Sequence, residues 1–152
     1  MFTKPEVLAA ADTAYAQLLE RKGSLGYFIR GYSDCWSLVC LYDSALKQKE
    51  AKLSSLNFTT YTDDYTFIKL VVKQFKDFDG LATFAGYKRI RPVVPVVGDI
   101  AVYKNVDGRL GFKIALEKHW LTSNLGKGND TIPDIFDIRT IHYLYRPINE
   151  NI

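Results

Sequence analysis

The stretch GYSDCWSLVCLY, Gly31 to Tyr42, decides how the rest of the chain is read. Ser33 and Asp34 are helix-start residues, and Cys35, Leu38, Val39, Tyr42 and Leu46 follow as the face the helix is expected to bury. The pattern predicts a helix that begins near Ser33 or Asp34 and places Cys35 in its first turn. There, unpaired backbone N–H groups and the positive end of the helix dipole favour thiolate over thiol. The same position also suits a buried cysteine acting as a small apolar side chain, because a cysteine nucleophile is useless without a base.

Upstream, Thr3-Lys4-Pro5-Glu6 is a capping box with proline near the first helical position. Val7, Leu8, Ala11, Tyr15, Leu18 and Leu19 continue it as a first helix, and Gly23 provides the stop. A loop rich in glycine and aromatics, Ser24 to Tyr32, joins it to the cysteine helix, which frays in the polar run 47–52. After a polar stretch, Ser54 to Thr62, Asp63 and Asp64 open a third helix. Its apolar set is Phe67, Ile68, Val71, Val72, Phe75 and Phe78, and Asp79-Gly80 is its expected end. Lys69, Lys73 and Lys76 fall on the other side, as a solvated face.

From Tyr87 the pattern changes. Pro92 and Pro95 interrupt the run Val93 to Val97, which argues for an edge or irregular segment. Gly98-Asp99 then turns into a strand, Ile100–Tyr103, and Asn105 to Gly108 is a hairpin turn. Phe112–Leu116, His119–Thr122 and Ile141–Tyr145 are further strands, with a loop at Leu125–Asp130. Helices first and an antiparallel sheet afterwards give an α+β fold, expected as one domain over 1–152.

Composition narrows the function classes. Of 152 residues nearly half are apolar, which indicates a globular chain. A net charge of +3 is too small to imply nucleic acid, and Lys88, Arg89 and Arg91 form only a short basic run. Cys35 and Cys40 lie five apart on one helix, roughly 140° apart around it, so they point away from each other. That pattern implies no disulfide framework and a reducing compartment. His119 and His142 are widely spaced and no CxxC pair occurs, so neither zinc nor any other cofactor is expected. No basic-then-apolar leader and no membrane-spanning apolar run is present, which predicts a chain without membrane insertion or an export signal of its own.

Three motifs carry a resemblance. Asp34-Cys35-Trp36-Ser37-Leu38-Val39 resembles the Asp-Cys-(Trp/Ser)-x-Leu-Val nucleophile motif of the NlpC-type papain-like cell-wall peptidases. Trp36 stands where members encoded among the tail genes of long-tailed bacteriophages favour tryptophan. Val97-Gly98-Asp99-Ile100-Ala101-Val102-Tyr103 resembles the family's Pro-Gly-Asp-(Ile/Leu/Val) turn, and His142-Tyr143-Leu144-Tyr145-Arg146-Pro147 the closing strand of phage members. The likeness spans about Gly31 to Pro147, with gaps, and implies N-terminal helices packed on a C-terminal antiparallel sheet.

In active members a His-(Val/Ala)-Gly-Ile-Tyr strand supplies the general base, and the next strand supplies a polar residue that orients it. Here that strand reads Gly111-Phe112-Lys113-Ile114-Ala115-Leu116, so the base position falls on Gly111 and the orienting position near Thr122. Neither deprotonates a thiol, and loss of a general base typically costs 10²–10⁴-fold in rate. The resemblance therefore implies a pseudoenzyme in which Cys35 is a vestigial nucleophile. Its role would be a structural part of a phage tail tip or tail assembly, made in the host cytoplasm and contacting other tail proteins. Aromatic stretches such as Tyr27-Phe28 and Tyr61 to Tyr65 would be contact surface. The alternative is an active cysteine peptidase that cuts peptidoglycan peptides during infection, with Cys35 as nucleophile and His119 as a displaced base. A third reading is a host-encoded intracellular amidase or inhibitor-like relative.

Overall fold

The computed structural model describes residues 2–23, 34–56, 58, 60–91, 94–104, 108–123, 131–133 and 138–148. The loop at Ser24–Tyr32, with Tyr27 and Phe28, lies outside the described residues. So do the whole Leu125–Asp130 loop and residues 105–107 of the Asn105–Gly108 turn.

Helix α1 spans Lys4–Lys22. The Thr3 hydroxyl accepts the Glu6 N–H and the Glu6 carboxylate accepts the Thr3 N–H, each at 3.3 Å, so the capping box forms as expected. Gly23 ends the helix at φ 55, a conformation that suits glycine. The buried face of α1 is made of Val7, Ala10, Ala11, Ala14 and Leu18, and its three alanines let α2 (Cys35–Lys47) pack close. Asp34 is the N-cap of α2, accepting the Ser37 N–H at 3.0 Å. Leu38, Val39, Tyr42 and Leu46 are buried, as the spacing predicts, whereas Cys35, expected on the same face, is only half-buried.

Beyond α2 the chain makes two short 3-10 turns, Gln48–Glu50 and Leu53–Leu56. They are tied back by Asp43, which is fully buried. Its carboxylate accepts the N–H groups of Lys52 and Leu53 at 3.2 and 3.3 Å and the Tyr87 hydroxyl at 2.6 Å, and pairs with Lys47 at 3.2 Å.

The third expected helix divides. Helix α3 covers Asp64–Phe75 with Asp63 as N-cap, and α4 covers Phe78–Ala85 with Asp77 as N-cap. Lys76 takes φ 74 between them, which reverses the chain, and Asp79-Gly80 begins α4 instead of closing α3. On α3, Phe67 and Val71 are buried, whereas Ile68 and Val72 are 38% and 53% exposed, which corrects their expected place in the core.

Among the described residues six strands form one sheet in the order β1-β6-β2-β3-β4-β5, every neighbouring pair antiparallel. They are β1 Tyr87–Ile90, β2 Ile100–Lys104, β3 Leu110–Ala115, β4 His119–Leu121, β5 Thr131–Pro133 and β6 Ile141–Pro147. The fold is α+β, with the helices N-terminal and the sheet C-terminal. Ile100, Val102, Phe112, Ile114, Leu121 and Tyr145 face the helices and share one core with them. Ala101, Ala115, Trp120 and Leu144 form a smaller cluster on the opposite face, as strand alternation requires.

Candidate functional site around Cys35

Cys35 begins α2, and α2 lies against β3, so the thiol faces the backbone of that strand. The main-chain N–H groups of Phe112, Cys35 and Trp36 lie close enough to favour a thiolate. They are outweighed. Burial of the sulfur and, second, the negative charge of Asp34 push the Cys35 thiol up to about 12. The lowering expected from the helix terminus is thus corrected: the residue that caps the helix brings a carboxylate beside the thiol. Cys40, on the same helix, is also raised by burial, and both cysteines are free.

Asp34 is committed to structure. Its Oδ1 accepts the Ser37 hydroxyl at 2.7 Å in addition to the Ser37 N–H, and its Oδ2 accepts the Tyr61 hydroxyl. Tyr61 is therefore core and not contact surface, while Tyr65 stays 68% exposed. Trp36 is buried among Phe58, Phe67 and Phe112, with ring centroids at 5.8, 5.2 and 5.4 Å. It fills most of the space between α2, α3 and the sheet and lines a small apolar cavity of about 40 Å³ with Val39, Phe78 and Phe112.

Gly111 and Thr122 come together at Tyr103, a strand position on the sheet face that Lys113 and Trp120 share, opposite the Phe112 face that packs on α2. On the β2–β3 ladder Tyr103 lies opposite Gly111. A Cβ at Gly111 would meet the Tyr103 ring at 2.8 Å from Cε1, 3.0 Å from Cζ and 3.2 Å from the hydroxyl oxygen. The phenol lies in hydrogen-bonding range of Thr122, whose own hydroxyl donates to the Phe112 carbonyl at 2.7 Å. Cys35 is near enough for a charge on its sulfur to oppose ionisation of Tyr103, although burial is the larger cause and holds the phenol up to about 12. The volume over Gly111 is occupied by an aromatic ring, and both protic groups there are neutral near pH 7.

Lys113, two residues along β3, is buried with its ammonium 4.6 Å from the Tyr103 ring centroid and 4.4 Å from that of Trp120. A sequence signal for Tyr103 existed in the pairing of an aromatic on one hairpin arm with a glycine on the other. Reading it required the register across the turn.

His119 opens β4, half-buried, with its carbonyl accepting the Leu116 N–H at 2.9 Å. Leu116, one residue past the end of β3, is four residues beyond Phe112, so the His119 backbone sits roughly 13 Å along the sheet from the Phe112 N–H that faces the thiol. His142 is exposed on β6, two strands away from β3, and its ring neighbours Tyr143 at 6.5 Å. Among the described residues no three His, Cys, Asp or Glu side chains gather in a way that would hold a metal ion, and no helix is long and apolar enough to cross a membrane.

Comparison of the chain with known proteins gave no matching family model, no matching curated protein and no matching solved structure.

Proposed function

We propose that this chain is a non-catalytic structural component of a long-tailed bacteriophage tail tip or tail assembly, built on an NlpC-type papain-like fold whose thiol site has been closed. The observation that carries the reading is Tyr103 lying over Gly111. In the NlpC-type scheme the residue at Gly111 supplies the imidazole, and here a phenol that stays protonated near pH 7 fills that volume. A neutral thiol whose expected base position is filled by a neutral phenol lacks the general base for attack. The motif likeness at Asp34–Val39, at Val97–Tyr103 and at His142–Pro147 supports the family and its tail branch, and the helix-then-sheet order agrees with it. A fold kept after its chemistry is lost serves as a packing unit, since fold does not dictate activity.

On this reading the chain is made in the host cytoplasm, joins the virion tail and contacts other tail proteins. Purified protein incubated with peptidoglycan fragments is expected to release no peptide. Turnover that vanishes in Cys35→Ala at any workable pH refutes the non-catalytic part. In a phage carrying the gene, Cys35→Ser is expected to leave particle assembly and infectivity intact. Particles that assemble normally but fail to infect would instead establish the peptidase alternative.

A further inference from the structure

Helix α3 spends two residues on the core, Phe67 and Val71, and turns a second apolar set outward. Tyr65, Ile68 and Val72 are 68%, 38% and 53% exposed. At about 100° per residue, these three fall within roughly 60° of one another around the helix axis. Lys69 and Lys73 follow on one flank of that stripe only. Neither lysine has a carboxylate partner among the described residues, and the Lys69 ammonium lies 5.5 Å from the Tyr65 ring centroid. A groove of about 490 Å³ opens beside the stripe, lined by Leu70 and Val72 together with Lys69, Lys73, Thr60 and Thr66.

We infer that this outward face of α3 is a docking surface for an amphipathic helical segment of another protein, one with an apolar ridge and carboxylates along one side. The apolar stripe has the i, i+3, i+7 spacing that an apolar helix ridge meets in helix-on-helix contact. The one-sided lysines supply the complementary charge that fixes the orientation of such a partner. A lipid surface is planar and rewards cations on both flanks of an apolar stripe, whereas here one flank is charged. The inference goes beyond the tail assignment and does not rest on it, since it concerns only what the exposed face recognises.

The test uses the whole chain and a synthetic amphipathic peptide, with a leucine ridge at i, i+3, i+7 and glutamates along one flank. Fluorescence anisotropy is expected to show saturable binding that weakens with added salt. Val72→Asp, an exposed position that leaves the core untouched, is expected to weaken it about tenfold or more. Lys69→Glu with Lys73→Glu is expected to do the same, and to gain binding to the peptide with lysines in place of its glutamates. Circular dichroism of each variant confirms that the fold is retained. No binding of the acidic peptide, or equal binding by Val72→Asp, overturns the proposal. It is also overturned if the same variants instead abolish self-association in sedimentation, which assigns the face to a second copy. Loss of binding to phosphatidylglycerol vesicles in those variants, with no peptide binding, assigns it to lipid.

Discussion

At Cys35 two opposing influences meet on one sulfur, and their sizes decide its chemistry. A helix N-terminus favours a nearby anion by about 0.3–1 kcal/mol. Raising a thiol from its usual 9.0 to about 12 reflects about 4 kcal/mol against the thiolate. Burial and Asp34 therefore win, and alkylation near pH 8 should run about a thousandfold slower in the native protein than in the unfolded chain. Peptide mass spectrometry scores Cys35 and Cys40 separately, and equal native and unfolded rates at Cys35 would contradict this. The same raised thiol sets a pH dependence. Above pH 9 the unfolded chain loses this proton first, so it binds fewer protons than the native state and stability falls as pH rises. The loss should run from about pH 9 to about 12 and be shallower in Cys35→Ser, as followed by urea denaturation across that range. A second prediction belongs to Gly111. Gly111→His forces atoms into the Tyr103 ring and should destabilise by about 1–3 kcal/mol through overpacking. Adding Tyr103→Ala vacates the ring's volume, so the double variant should be more stable than the two single losses sum to. Strict additivity in that cycle would mean the two positions do not share space.

At the scale of elements, α2 and α3 are held to the sheet by the aromatic cluster centred on Trp36. Trp36→Ala removes a ring in contact with three others and should cost about 3–5 kcal/mol, read as a lower denaturation midpoint or as insolubility. A variant as stable as the parent would place Trp36 outside the core. Elements whose signal is local were legible from sequence: the Thr3 capping box, the Asp34 cap, the Gly98-Asp99 turn, and the strands at Ile100, Phe112, His119 and Ile141. Strands β1 and β5 were not, because Tyr87–Ile90 is short with two charged residues and Thr131–Pro133 is shorter still. Both become strands only by pairing with β6 and β4. The break between α3 and α4 was hidden for a related reason. The apolar period runs on through Phe75 and Phe78, and only the left-handed Lys76 and the Asp77 cap interrupt it. At the candidate site the sequence placed Cys35, Gly111 and Thr122, but Tyr103 depended on cross-strand register, which no local pattern carries.

Over the whole molecule, the last strand lies between β1 and β2, so the sheet is completed by a segment distant in sequence from both neighbours. The contact that secures this insertion is Arg146 with Asp99. The guanidinium donates from Nε and Nη2 to the two Asp99 oxygens at 2.8 and 2.9 Å, and the Val96 N–H donates to the same carboxylate at 2.8 Å. Asp99 is fully buried, while the Arg146 side chain is about a third exposed. The pair joins β6 to the turn that starts β2, and that turn is itself bonded to β3 through Gly98 and Ala115 at 2.8 Å. Removing one partner leaves a carboxylate desolvated beside a single N–H. Arg146→Met should therefore destabilise by about 3 kcal/mol or more. Because the penalty is that of an uncompensated buried charge, Asp99→Asn in the same chain should recover part of it. The two single variants and the double, measured by urea denaturation, decide the matter. An Arg146→Met protein as stable as the parent would show that β6 is held by strand pairing and core contacts alone.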